Sequence, residues 1–134
     1  MGILTFKDAF DTKDMRSTGG ADANYDIDFP AQDHLLIDQL RKKGAIIFAK
    51  ALMTEYNGRA GDPGGKNYPN QILPSVLGYQ RSSWAGNPSN PYDTTRSASL
   101  GSSSGSGVSV GANLVMASLG EETRQSTRGP ANHN

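Results

Sequence analysis

The run Asp33-His-Leu-Leu-Ile-Asp-Gln-Leu-Arg-Lys-Lys43, then Gly44 and the apolar block Ala45-Ile-Ile-Phe-Ala49, decides the fold class. Leu35, Leu36, Ile37 and Leu40 recur at helical spacing, with Asp33 placed to cap the start and Gly44 to stop the end. The unbroken block behind them has the pattern of a parallel strand covered on both faces. Helix followed by apolar strand is half of an α/β unit. Working outward, residues 3–6 read as a second short buried strand, and Leu52 to Tyr56 as a short helix. From Gly58 to about Arg96 no period is sustained, and a loop of that length is more often functional or shaped by a partner surface than idle. Beyond it, Ser97 to Gly107 reads as a tight glycine-serine turn. Val108 to Met116 follows as a helix of small residues, and Ala117 to Gly120 as a short strand.

The 134 residues suffice for one modest domain, and the 16 glycines and 7 prolines demand much turn and loop. Thirteen basic and thirteen acidic residues are scattered along the chain, which speaks against nucleic acid as a partner because phosphate binding needs a concentrated basic face. Without cysteine there is no disulfide, no thiol chemistry and no cysteine-zinc site. No stretch approaches the ~18 apolar residues of a membrane span, and Met1 to Lys7 contains no signal-peptide core. A cytoplasmic placement is the expectation. The closing run Gly129-Pro-Ala-Asn-His-Asn134 reads as an element begun and cut off, so the chain is expected to be a fragment.

Several residues invite chemistry, each with a plainer reading beside it. The Gly/Ser run has the composition of a linker, yet linkers do not usually flow into small and aliphatic residues such as Val108 to Leu119. Gly101-Ser-Ser-Ser-Gly105 matches a nucleophile elbow centred on Ser103, but the lead-in is a poor strand and the downstream histidine is His133. Gly105, Gly107 and Gly111 miss the dinucleotide spacing by one place, and Gly64-Gly65-Lys66 fails as a phosphate loop. His34 has no second histidine nearby, so a cap or surface role fits better than a metal site. Lys50 ends an apolar strand, where a lysine ordinarily reaches solvent. Ser126 lies in a polar stretch that reads equally as a surface turn. Trp84, Tyr79 and Tyr92 suit either a pocket wall or ordinary packing.

Taken together these segments resemble the amidase signature family from one end of the chain to the other. Phe6-Lys-Asp-Ala-Phe-Asp11 with Ser17-Thr-Gly-Gly20 resembles its opening strand and turn. Gly44 to Lys50 with Met53-Thr-Glu-Tyr56 is similar to the strand and turn bearing its lysine. Asn87-Pro, Asn90-Pro-Tyr-Asp93 and Arg96 resemble the approach to its signature, and Gly101 to Gly107 the signature itself. Gly120, Glu122, Thr123, Ser126, Arg128, Pro130 and Ala131 fall where the family has its nucleophile loop.

The resemblance implies an α/β fold with a mixed central sheet flanked by helices, of which residues 1–134 are an incomplete part. Its lysine strand would span about 44–56, its long loop about 58–96, and its signature and nucleophile loop about 97–131. It implies amide hydrolysis through a serine acyl-enzyme, with Ser126 as nucleophile, Ser102 as bridging serine beside a cis peptide bond, and Lys50 as base. Ser102 is preferred to Ser103 because reading back from Ser106-Gly107 and counting from Ser126 both select it. Backbone N–H groups of Thr123, Arg124, Gln125 and Ser126 would form the oxyanion hole. A lysine serves as base when burial lowers its pKa, and a serine hydroxyl needs such a base. The implied substrate is a small-molecule amide, with no cofactor and no metal, and the parent is expected to be a homodimer. The family commonly has glycines where this chain has Arg124 and Gln125; side chains there would distort the oxyanion hole, narrow the pocket or add substrate contacts. The alternatives are the ammonia-releasing subunit of a glutamine-dependent amidotransferase and a non-catalytic fragment or pseudoenzyme.

Overall fold

The computed structural model describes residues 2–23, 25–57, 82–86, 88–96 and 101–134. Residues 58–81 of the long loop, with Tyr79 and Gly64 to Lys66, lie outside the described residues, as do Asn87 and the opening Ser97 to Leu100 of the glycine-serine stretch. Strand β1 spans Ile3–Lys7, helix α1 Leu35–Lys42, strand β2 Ile46–Ala51, helix α2 Ser104–Gly111, strand β3 Ala117–Leu119 and helix α3 Arg128–His133. A 3-10 turn covers Glu55–Asn57, where a short helix from Leu52 was expected.

The three strands form a parallel sheet in the order β2-β1-β3. Its central strand divides its residues by parity, as a pleated strand must. Leu4 and Phe6 pack with Ile37 of α1 and Ile47 of β2, joined by Phe10, Met15, Leu36, Leu40, Ala45 and Leu119. Thr5 and Lys7 face the other way, towards α2, where Thr5 Oγ1 lies 2.9 Å from Ser109 Oγ and donates to Ser118 Oγ at 2.7 Å. This second layer is polar. Ser104, Ser106 and Ser109 are buried in α2, and small side chains bring that helix against the exit of β2. Gly105 is the tightest point, since a Cβ there would lie 2.3 Å from Leu52 N, and its own N–H donates to Leu52 O at 2.8 Å.

Two local expectations need correction. The cap of α1 is His34, whose Nδ1 accepts from Leu36 N at 3.2 Å. Asp33 instead receives the Lys13 N–H at 2.9 Å and pairs with Arg41 at 3.1 Å, pinning the preceding loop to the helix. The block at β2 is not covered on both faces among the described residues: β2 is an edge strand, and Phe48 is 62% and Ile46 40% exposed. The described strands are all parallel; the mixed sheet was an expectation for the parent domain.

Candidate active site

Three segments converge at the carboxyl ends of the parallel strands, where open α/β sheets place their sites. β1 ends at Lys7, β2 leads into the turn bearing Asn57, and β3 leads into the loop bearing Ser126. Backbone hydrogen bonds tie the glycine-serine segment between the other two. Thr54 N donates to Ser102 O at 3.1 Å, and Ser103 N donates to Ser126 O at 2.8 Å.

The lysine at the centre is Lys7. Its side chain is fully buried, and Nζ donates to Ser102 Oγ at 2.8 Å and to Asn57 Oδ1 at 2.6 Å, with Glu121 Oε2 at 3.3 Å. Ser102 Oγ in turn donates to Asn57 Oδ1 at 3.0 Å. Burial pushes the Lys7 amine below the ordinary lysine value of 10.5, while the Glu121 and Glu122 carboxylates pull the other way. Lys7, Asn57, Glu121, Glu122, Thr123, Arg124 and Ser126 line a cavity of about 500 Å³. Trp84 and Tyr92 are not among them: Trp84 stacks on Tyr25, and the Tyr92 hydroxyl donates to Gly111 O.

Lys50, expected as the base, is held elsewhere. Its Nζ donates to Phe10 O at 2.6 Å, Ser17 Oγ at 2.7 Å and Arg16 O at 3.0 Å, and pairs with Asp8 at 3.2 Å. Asp8 also accepts from Thr18 N at 3.2 Å and from the Thr18 hydroxyl. The reason is register. Lys50 pairs with Phe6 across the sheet and Lys7 with Ala51, so the two lysines project from opposite faces. Ser102 lies on the face of Lys7. Lys50 stitches together the loop after β1, and burial lowers its pKa against the pull of Asp8.

The two adjacent serines also differ in direction. Ser102 Oγ meets Lys7, whereas Ser103 Oγ accepts from Glu121 N and donates to Glu121 O, both at 3.3 Å, with Thr127 Oγ1 at 3.5 Å. Ser103 is a clamp on the serine loop. Glu122 is a second clamp, accepting from Thr127 N at 2.6 Å and Arg128 N at 3.1 Å and pairing with the Arg128 guanidinium at 3.3 Å. The Thr127 N–H above all, then the Arg128 groups, hold its carboxyl below the usual carboxylate value.

The N–H groups of Thr123, Arg124 and Ser126 have no acceptor among the described residues. Arg124 and Gln125 both keep φ outside the left-handed region, so this backbone path does not require glycine at either place. No peptide bond among the described residues is cis, including those flanking Ser102. Among the described residues no cluster of His, Asp or Glu is arranged to hold a metal ion, and no helix is long and apolar enough to cross a membrane.

Lys7 and Asn57 both meet Ser102, and the sequence reading gave neither a place beside it. Lys7 was placed in the opening strand motif, and its pairing had a signal, since a lysine inside an otherwise apolar strand is rarely buried without a partner. Asn57 had none. It sits in the left-handed region at φ 65°, next to Tyr56 at φ 41°, a backbone that local sequence did not announce.

The family profile described as Amidase matches residues 2–134. A glutamyl-tRNA(Gln) amidotransferase subunit from Sulfurisphaera tokodaii is 30% identical over 132 residues, covering 98% of this chain and 24% of that protein. The native peptide amidase of Stenotrophomonas maltophilia superposes with a TM-score of 0.75 at 30% identity, over 97% of this chain and 23% of that one. An amidase family protein from Bacillus anthracis gives 0.72 at 27% identity, over 97% and 23%. The chain thus spans about a quarter of the length of the relatives it matches.

Proposed function

Because the chain belongs to the amidase family, we propose that its parent protein hydrolyses a carbon–nitrogen bond of a small amide through a serine acyl-enzyme. Ser126 is the nucleophile, Ser102 the relay and Lys7 the base. The observation that carries the reading is the 2.8 Å contact of the buried Lys7 amine with Ser102, at the edge of a cavity that Lys7 and Ser126 both line.

In its neutral form the Lys7 amine accepts the Ser102 proton, and Ser102 takes the proton of Ser126 as Ser126 Oγ bonds to the amide carbon. The relay runs back to protonate the departing nitrogen as the C–N bond breaks. Water then attacks the ester carbonyl, and Ser126 recovers its proton. Once protonated, Lys7 is stabilised by Asn57 Oδ1 and Glu121. The open N–H groups of Thr123, Arg124 and Ser126 support an oxyanion site, where each donor is typically worth ~10²–10³ in rate.

The test is intact-mass analysis after exposure to a serine-reactive fluorophosphonate. Single labelling that disappears in Ser126→Ala and falls steeply in Ser102→Ala and Lys7→Ala is expected. Labelling that survives Lys7→Ala but not Lys50→Ala, with both variants folded, overturns the assignment of the base. A second reading, the ammonia-releasing subunit of an amidotransferase, is favoured by the match to the Sulfurisphaera protein. Protection of Ser126 from the label by glutamine alone among simple amides is the result that selects it.

A further inference from the structure

The cavity beside Ser126 carries four charges, and three of them are already spoken for. Lys7 is paired with Glu121 and Glu122 with Arg128. Glu122 also accepts two backbone N–H groups. Arg124 remains: it lines the cavity and stands two residues before Ser126, and among the described residues no carboxylate lies within ion-pair distance of its guanidinium. A guanidinium is a five-donor fork matched to a carboxylate, and it stays charged at every working pH.

We infer that Arg124 selects a small amide that itself carries a carboxylate, which the guanidinium receives while the scissile carbonyl sits at Ser126. The inference rests on the proposed serine chemistry and narrows its substrate class. Its logic is that of the one guanidinium in the cavity left without a partner among the described residues. A neutral substrate leaves Arg124 to solvent, whereas an anionic one gives its guanidinium a carboxylate to pair with. Charge-assisted hydrogen bonds of this kind run to about twice the strength of neutral ones.

Succinamate and succinamide differ only in a carboxylate against a second amide, so they isolate the charge. The rate of fluorophosphonate labelling at Ser126 is measured against increasing concentration of each. Succinamate is expected to protect at roughly ten-fold lower concentration than succinamide, a preference that shrinks severalfold or more in Arg124→Gln and persists in Arg124→Lys. Equal protection by the two compounds, with labelling intact, overturns the inference and leaves the serine chemistry standing. A preference unchanged in Arg124→Gln overturns it equally. No labelling of Ser126 overturns the serine chemistry and the inference together.

Discussion

Replacing each strand lysine by methionine separates the two roles that the sheet assigns them. Lys50→Met removes an ammonium that satisfies Phe10 O, Arg16 O and Ser17 Oγ and neutralises Asp8. The Lys50 side chain is 12% and that of Asp8 6% exposed, so the carboxylate left behind cannot simply rehydrate. Breaking a buried pair from one side costs about 3–5 kcal/mol. Whole domains are stable by only about 5–15 kcal/mol, so this loss is a large share of the total. Lys7→Met is different in kind. Ser102 Oγ keeps its 3.0 Å bond to Asn57, and the Glu121 side chain is 45% exposed and returns to water. Exchanging a buried charge for an apolar chain of similar length is then about neutral, or mildly stabilising. The assay pairs urea unfolding, followed by circular dichroism, with fluorophosphonate labelling of the folded fraction. With a urea slope of ~1–3 kcal/mol/M, Lys50→Met is expected to lower the midpoint by at least about 1 M. Asp8→Asn added to it should recover part of the loss, on the order of 0.5–3 kcal/mol. Lys7→Met is expected to leave the midpoint in place while labelling falls ~10²–10⁴-fold, the usual contribution of a general base. Lys50→Met that unfolds like wild type and does not label, beside a Lys7→Met that labels normally, refutes the reasoning.

The labelling rate should rise with pH through a Lys7 pKa that burial has brought below 10.5, because only the neutral amine accepts a proton. Glu121→Gln removes one of the groups that raise that pKa, so the rising limb should move to lower pH; a shift the other way contradicts the assignment. Asn57→Gly keeps the left-handed backbone but deletes the acceptor shared by Lys7 and Ser102, and labelling should drop about ten-fold, near the 1–1.5 kcal/mol of one such bond. Ser103→Ala should lower stability by about 1 kcal/mol while retaining part of the labelling, whereas Ser102→Ala should lose labelling and keep the midpoint. Gly101→Ala places a Cβ 2.5 Å from Gln125 O and 2.8 Å from Ser126 Cα, so differential scanning calorimetry should show a loss of roughly 1–3 kcal/mol accompanied by loss of labelling.

Much of this was legible from residue order alone, because the relevant interactions are short-range or carried by motif. The spacing of Leu36, Ile37 and Leu40 determined the helix, the apolar block after Gly44 determined a strand, and the small residues of Gly101 to Gly111 announced close backbone packing. The segments that converge on the cavity had each been singled out in the sequence, including those of Ser102 and Ser126. What the chain could not announce was which strand lysine faces which layer. Lys7 ends β1 and Lys50 is the last residue but one of β2, and each looks equally suited to a buried amine. The choice was made by register. The β1–β2 pairing slips between Leu4 and Thr5, where Ile47 and Ala49 oppose neighbouring residues and Phe48 is passed over. That bulge aligns Lys50 with Phe6 and so sends it to the side of Asp8, leaving Lys7 to face Ser102. A one-residue slip reverses the face of every side chain beyond it, and it is fixed by contacts between segments some forty residues apart in sequence. Composition and motif therefore determined the family and the elements, while tertiary pairing decided which lysine meets Ser102.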